Sequence, residues 1–218
     1  MSLDTFIFDF DGTLGDSQQC IITSTKRAFE SQNMTVPDEE TIKYYIGIPL
    51  ETSMKKMAGE EIDEEKFQNL LAEFRKTLLE IEKDCLKIFP DVKELLNILR
   101  EKKIECFVLS SKKDSVLLRN LKMLEIEDYF TEIVGPDNLK NHKPHPEGIE
   151  MLAEKYGFDR EKTVMIGDAI FDIQMGKAAG VKTCAVTWGI HNTDMLKKEN
   201  PDIMIDSPLD LIKCVSEK

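Results

Sequence analysis

The sequence has no CxxC pair, no dense lysine and arginine cluster, no long apolar run, no internal repeat and no low-complexity tract. Each absence removes a class of protein. The five cysteines, Cys20, Cys85, Cys106, Cys184 and Cys214, are odd in number and scattered. A zinc ribbon or a disulfide framework is not expected, and reduced thiols in a cytoplasm are. The first apolar run is only Phe6-Ile7-Phe8, followed at once by Asp9. It is too short for a signal peptide and lacks a basic flank, so a cytoplasmic location is expected. No stretch approaches the ~20 apolar residues of a membrane-spanning helix, so no membrane partner is expected. Net charge is −12, which with no basic face argues against nucleic acid as a partner. So acidic a chain also repels phosphorylated compounds, and would need local cations or a metal ion to hold one.

What is present is a soluble, globular composition, 41% hydrophobic and 32% charged. The 218 residues suffice for one large domain, or a medium one carrying an insertion of roughly 50–100 residues. Short apolar runs at Thr5–Phe8, Ile104–Leu109, Thr163–Ile166, Thr183–Val186 and Ile203–Ile205 alternate with amphipathic stretches. Repeated βα units around a parallel sheet, an α/β fold, give this pattern. Val92, Leu95, Leu96 and Leu99 have the i, i+3, i+4, i+7 spacing of a helix lying on one sheet face. Between Asp16 and about Cys85 the alternation stops. Helices are expected at 17–31, 38–45, 51–57 and 63–84, the last with an apolar stripe from Phe67 to Ile81. This reads as a helical domain of residues 16–85 inserted into a core of residues 1–15 and 86–218. Pro90 marks the restart of the core.

Four sites carry chemistry. Asp9 and Asp11 stand two apart where the first strand ends, and Gly12 permits the sharp turn that follows. Two close carboxylates repel unless a cation or proton lies between them, and Mg²⁺ prefers such oxygen ligands. Ser110 ends the run Phe107–Leu109, where a hydroxyl and a helix N-terminus can bind a phosphate oxygen; Ser111 is its rival. Lys143 sits between His142 and the Pro144-His145-Pro146 segment, a restricted backbone that could hold its ammonium between a carboxylate and a phosphate. Both histidines read as loop residues without metal-ligand spacing. Asp168 again ends an apolar strand, and Asp172 follows one helical turn later. Asp168 can complete a metal site and Asp172 can support it. A DxDGT segment, a strand-terminal serine, a Lys-Pro pair and a GDxxxD segment thus fall at successive loops on one sheet edge.

Asp9–Ser17, Val108–Lys112, Lys143–Gly148 and Ile166–Gly180 together resemble the haloacid dehalogenase superfamily of phosphohydrolases over nearly the whole chain. The resemblance implies a Rossmann-like core with a helical cap inserted after the first motif. It implies Asp9 as the nucleophile that forms an aspartyl-phosphate, and Asp11 as general acid and base with its backbone carbonyl on the metal. Ser110 would bind the transferring phosphoryl group, Lys143 would offset charge, and Asp9, Asp11 and Asp168 would hold Mg²⁺. Gly12, Thr13 and Ser111 join as candidate substrate contacts. Segments 45–50 and 186–189 look most like phosphoglycolate phosphatases and the related bacterial pyrophosphatases. By analogy with the family, Thr23, Tyr44, Tyr45 and Ile48 of the cap would contact a small phosphorylated metabolite.

The expected function is a Mg²⁺-dependent phosphatase of the phosphoglycolate type, acting as a monomer or weak homodimer. Inorganic pyrophosphatase is an alternative. A phosphosugar mutase resembling β-phosphoglucomutase is disfavoured, since the segment Gly47-Ile48-Pro49-Leu50 lacks the arginine such relatives carry. A true dehalogenase would lack Asp11. A receiver-like phosphorylation switch would need a long-lived phosphoaspartate, which a neighbouring general base opposes. A binding protein on a degenerate scaffold is disfavoured because every catalytic position holds a competent residue.

Overall fold

The structure, a computed structural model, describes residues 3–215. Its centre is a six-stranded sheet formed by β1 (Thr5–Phe8), β4 (Glu105–Leu109), β5 (Glu132–Val134), β6 (Thr163–Gly167), β7 (Lys182–Val186) and β8 (Ile203–Ile205). The order is β5-β4-β1-β6-β7-β8, and every pairing is parallel. Such a sheet is covered on both faces, which explains why its strands are continuous apolar runs. Successive residues of β1 point to opposite faces. Phe6 and Phe8 join a cluster with Val92, Leu95, Leu96 and Leu99 of α5 (Val92–Glu101) and Leu117 and Leu121 of α6 (Asp114–Met123). Ile7 joins the opposite cluster, with Ile149 and Leu152 of α7 (Glu147–Tyr156) and Met175 and Ala179 of α8 (Ile170–Ala179).

β1 lies between β4 and β6. The chain therefore leaves the central strand toward one side of the sheet and later returns on the other. In open α/β sheets the crevice at such a reversal, beyond the strand C-termini, is where ligands bind.

Between β1 and β4 stand α1 (Gln18–Ser31), α2 (Glu39–Tyr44), α3 (Leu50–Ala58) and α4 (Glu64–Cys85). Asp38 and Asp63 cap α2 and α4 by accepting from the Thr41 and Lys66 N–H groups. Ala28 and Phe29 of α1 pack with Met54 of α3 and Phe67, Leu70, Leu71 and Phe74 of α4 in an apolar cluster of their own. The two crossings into and out of this insertion pair as a short antiparallel ribbon, β2 (Gly15–Asp16) with β3 (Lys87–Ile88). The sequence does not announce either ribbon strand or β5: Gly15-Asp16, Lys87-Ile88 and Glu132-Ile133-Val134 each carry a charged residue and are too short to show a period, whereas Ile203-Met204-Ile205 is apolar throughout. Between β7 and β8, α9 (Thr193–Lys198) places Leu196 beside Ile173 and Ala185, and a 3₁₀ helix, Pro208–Cys214, follows β8.

One expectation is corrected. Cys20, in the first turn of α1, is disulfide-bonded to Cys85, the last residue of α4. The two lie 65 positions apart, but antiparallel packing of α1 on α4 brings their Cα atoms to 5.6 Å. Spacing alone does not reveal such a pair. Cys106, Cys184 and Cys214 are free thiols, and burial pushes the Cys106 thiol up to about 12. Among the described residues no helix is long and apolar enough to cross a membrane.

Candidate active site

Asp9 follows β1 directly, and its N–H donates to the Ile166 carbonyl of β6 at 2.8 Å, continuing the ladder one residue past the strand. Ser110 follows β4 in the same way, donating its N–H to Val134 of β5. Asp168 follows β6. The sheet therefore brings three strand ends, from residues far apart in sequence, to one edge.

Lys143 reaches this edge from the loop before α7. Its Nζ lies 2.6 Å from Asp9 Oδ1 and 2.6 Å from Asp172 Oδ1, with all three side chains buried. The second Asp172 oxygen accepts from the Ala169 N–H at 3.1 Å, so the carboxylate is fixed from both ends. Asp168 is held likewise. The Thr13 hydroxyl donates to Oδ1 at 3.1 Å, and the Ile190 N–H donates to Oδ2 at 2.7 Å. Backbone approaches this carboxylate closely on two sides. A Cβ on Gly12, whose φ is +81°, would fall 2.1 Å from Asp168 Oδ2, and one on Gly189 would fall 2.2 Å from Asp168 Cβ.

Burial dominates the electrostatics. It pushes Asp9 up to about 7 against the pull of Lys143, and Asp172 adds to the rise. Burial raises Asp168 well above the usual carboxylate range, reinforced by Asp9 and Asp172. For Lys143 burial alone would lower the ammonium, but Asp172 and Asp9 outweigh it and the net shift is upward. One buried cation thus faces three buried acids. Oxygens of Asp9, Asp168 and Asp172 lie within 4.8 Å of one another. Crowded carboxylates that resist ionisation are a hard oxygen donor set short of positive charge, which fits a divalent cation such as Mg²⁺.

Asp11 faces a different neighbour. Its Oδ1 accepts from the Ser17 hydroxyl, and the Lys112 ammonium lies 2.7 Å away. Lys112 also lies over the Phe10 ring at 4.9 Å and donates to Asn120 Oδ1 at 3.1 Å. Asn120 and Arg119 of α6 both donate to Glu82 of α4, Arg119 through two nitrogens. A polar chain thus runs from Asp11 to the inserted helices. Lys112 and Ser17 lie inside the segments 108–112 and 9–17, where the sequence alone assigns them no role. The available signal was that an acid at a strand end needs a partner, and Lys112 is the cation two residues past Ser110.

The insertion meets the core at the segment after α2. The Ser111 hydroxyl donates to the Gly47 carbonyl at 2.8 Å, so Ser111 joins the two layers while Ser110 stands beside Asp9 and Asp11 at the cavity floor. Tyr44 stacks on His191, with ring centroids 6.2 Å apart, and meets Phe171 edge-on. Of the four cap residues expected to line the site, Tyr45 and Ile48 border the cavity facing Asp9 and Asp11. Tyr44 is turned to the His191 contact instead, and the half-buried Thr23 of α1 accepts from Gln19 and does not border the cavity.

Comparison with known proteins now adds to the geometry. Residues 6–186 match the model of the haloacid dehalogenase-like hydrolases. The chain belongs to this family. Pyrophosphatase PpaX of Oceanobacillus iheyensis is 33% identical over 217 residues, covering 100% of this chain and 99% of that protein. Among solved structures, a predicted phosphoglycolate phosphatase of Haemophilus somnus superposes with a TM-score of 0.89 at 24% identity, covering 98% of both chains. A haloacid dehalogenase-like hydrolase of Streptococcus pneumoniae gives 0.84 at 25% identity, covering 97% of both. The matched residues 6–186 include Asp9, Ser110, Lys143, Asp168 and Asp172.

Proposed function

We propose that this haloacid dehalogenase-like hydrolase is a Mg²⁺-dependent phosphatase that transfers the phosphoryl group of a small metabolite to Asp9. The observation that carries the reading is the convergence of Asp9, Lys143, Asp168 and Asp172, with Lys143 2.6 Å from two of the acids. Asp9, Asp168 and the backbone carbonyl of Asp11 would hold the metal, with Asp172 steadying the group through Lys143. When bound, the metal supplies the positive charge that lets an acidic site accept an anionic phosphoryl group.

A carboxylate oxygen of Asp9 attacks phosphorus in line, and the bond from phosphorus to the leaving oxygen breaks. Asp11, beside the cavity, gives its proton to that oxygen. A water then loses a proton to Asp11 and attacks the aspartyl-phosphate, releasing inorganic phosphate and restoring Asp9. Lys143 and the Ser110 hydroxyl balance charge on the transferring group. Residues 16–85 act as a cap over residues 1–15 and 86–218, and closure limits water during the first transfer. The protein works on a soluble phosphorylated compound, as a monomer or weak homodimer.

The test is phosphate release from phosphoglycolate, other phosphomonoesters and pyrophosphate, with Mg²⁺ and with EDTA. Release that needs Mg²⁺ and vanishes in a folded Asp9→Asn variant is expected. Activity retained by that variant would sink Asp9 as the nucleophile. A pyrophosphate substrate is the second reading, favoured by full-length similarity to the pyrophosphatase PpaX of Oceanobacillus iheyensis. Faster turnover of pyrophosphate than of every monoester would select it.

A further inference from the structure

The space above Asp9 and Asp11 is a cavity of about 530 Å³ between the sheet edge and the insertion. That lies within the ~300–1,000 Å³ typical of small-molecule sites. Its two sides differ in chemistry. The floor is polar, with Asp9, Asp11, Ser110 and Lys112. The wall facing it draws on every inserted helix and is mostly apolar: Ile21 of α1, Met57 of α3 and Leu78 of α4 border it beside the buried Ile42, Met54 and Phe74, and Thr25, Ser53 and the Arg75–Glu51 pair interrupt it.

Three of the four cations that border the cavity are already engaged. Lys112 pairs with Asp11, Arg75 with Glu51, and Arg119 with Glu82. Lys113, the remaining bordering cation, is exposed at the start of α6. A second anionic group held above the floor would therefore meet methionine, isoleucine and phenylalanine side chains without an uncommitted buried cation, at a large desolvation cost. An apolar group there would gain from leaving water.

We infer that the substrate is a phosphomonoester whose alcohol carries an uncharged, largely apolar body seated against the wall formed by Ile21, Met57, Phe74 and Leu78. The inference rests on the phosphatase reading above and narrows its substrate class. In the transfer step the Asp9 oxygen bonds to phosphorus as the phosphorus–alkoxy bond breaks. The alkoxy oxygen takes the Asp11 proton, and the apolar alcohol leaves neutral. Water then releases the phosphate. Pyrophosphate, charged at both ends, leaves this wall unused.

The experiment compares kcat/KM for ethyl, butyl and hexyl phosphate, phosphoglycolate and pyrophosphate at saturating Mg²⁺. Each further buried methylene is expected to raise kcat/KM about threefold to fourfold, with hexyl phosphate exceeding both phosphoglycolate and pyrophosphate. Ile48→Asp, at the half-buried cavity edge, should lower the hexyl-to-ethyl ratio by about tenfold, with circular dichroism used to verify the fold. A flat alkyl series, or phosphoglycolate or pyrophosphate ranking first, overturns the inference and leaves the phosphatase reading standing. No phosphate from any compound overturns both.

Discussion

Lys112 places its ammonium 2.7 Å from Asp11, the residue proposed to move protons, while Lys143 serves Asp9. The two aspartates, two positions apart, thus have separate cations from separate loops. Lys112 ties Asp11, through Asn120, to Glu82 of the insertion, and the expectation drawn from these contacts is that it acts as a positioning residue for the Asp11 carboxylate.

Replacing Lys112 with Met keeps the stem over Phe10 and removes the charge. The expected result is a fall in kcat of about 10- to 100-fold, of the order that general acid and base groups supply, with a smaller change in KM. Lys112→Arg should recover part of it. Steady-state kinetics and a melting curve check this, and a loss of melting temperature that accounts for the whole effect would refute the positioning role.

Metal-free protein should lose stability as pH rises. Asp9 is raised from 3.8 to about 7 in the folded chain, chiefly by burial, and Asp168 is raised as well. Between the unfolded and folded values the native state binds more protons than the unfolded one, so stability falls with increasing pH. In EDTA the melting temperature is expected to drop across that window. Mg²⁺ should raise it more at about pH 8 than at about pH 5, because binding needs ionised carboxylates. Asp168→Asn should shrink the difference, and a Mg²⁺ effect equal at both pH values would contradict the assignment.

Gly12→Ala tests the close approach at Asp168. The added methyl needs a positive φ that alanine disfavours and meets the carboxylate at 2.1 Å. Half-saturation by Mg²⁺ should require about tenfold more metal, the usual scale for disturbing a group that orients a ligand. Isothermal titration with Mg²⁺ reads this directly, and unchanged affinity would mean that the turn yields without moving Asp168.

The Cys20–Cys85 bond should be visible chemically and in stability. Denatured, unreduced protein is expected to show the three free thiols, Cys106, Cys184 and Cys214, out of five cysteines. Closing a 65-residue loop should stabilise the fold by about 4 kcal/mol on the chain-entropy scale. Cys20→Ser should lower the denaturant midpoint accordingly. Five reactive thiols in unreduced protein would exclude the bond.

The sheet and the strand-end acids were legible in the sequence because both follow from local patterns. Phe6-Ile7-Phe8 and Phe107-Val108-Leu109 are apolar on both faces, and Asp9, Ser110 and Asp168 stand immediately after such runs. Features made by distant segments were not legible. The Cys20–Cys85 bond depends on how α1 lies on α4, and the Lys112–Asp11 pair depends on two neighbouring strands ending level. Tyr44 and Tyr45 are adjacent, yet one stacks on His191 and the other borders the cavity. At the end of a six-residue helix, nothing local decides which of two tyrosines turns inward.

The position of β1 also orders the birth of the molecule. The first strand made is the centre of the sheet, but its neighbours begin only at Glu105 and Thr163. During synthesis Phe6, Ile7 and Phe8 stay unpaired until at least the roughly one hundred residues that lead to β4 have been made. Meanwhile α1 to α4 can assemble, since their contacts lie within a single stretch of sequence. The inserted helices are thus able to assemble before the sheet beside them is complete.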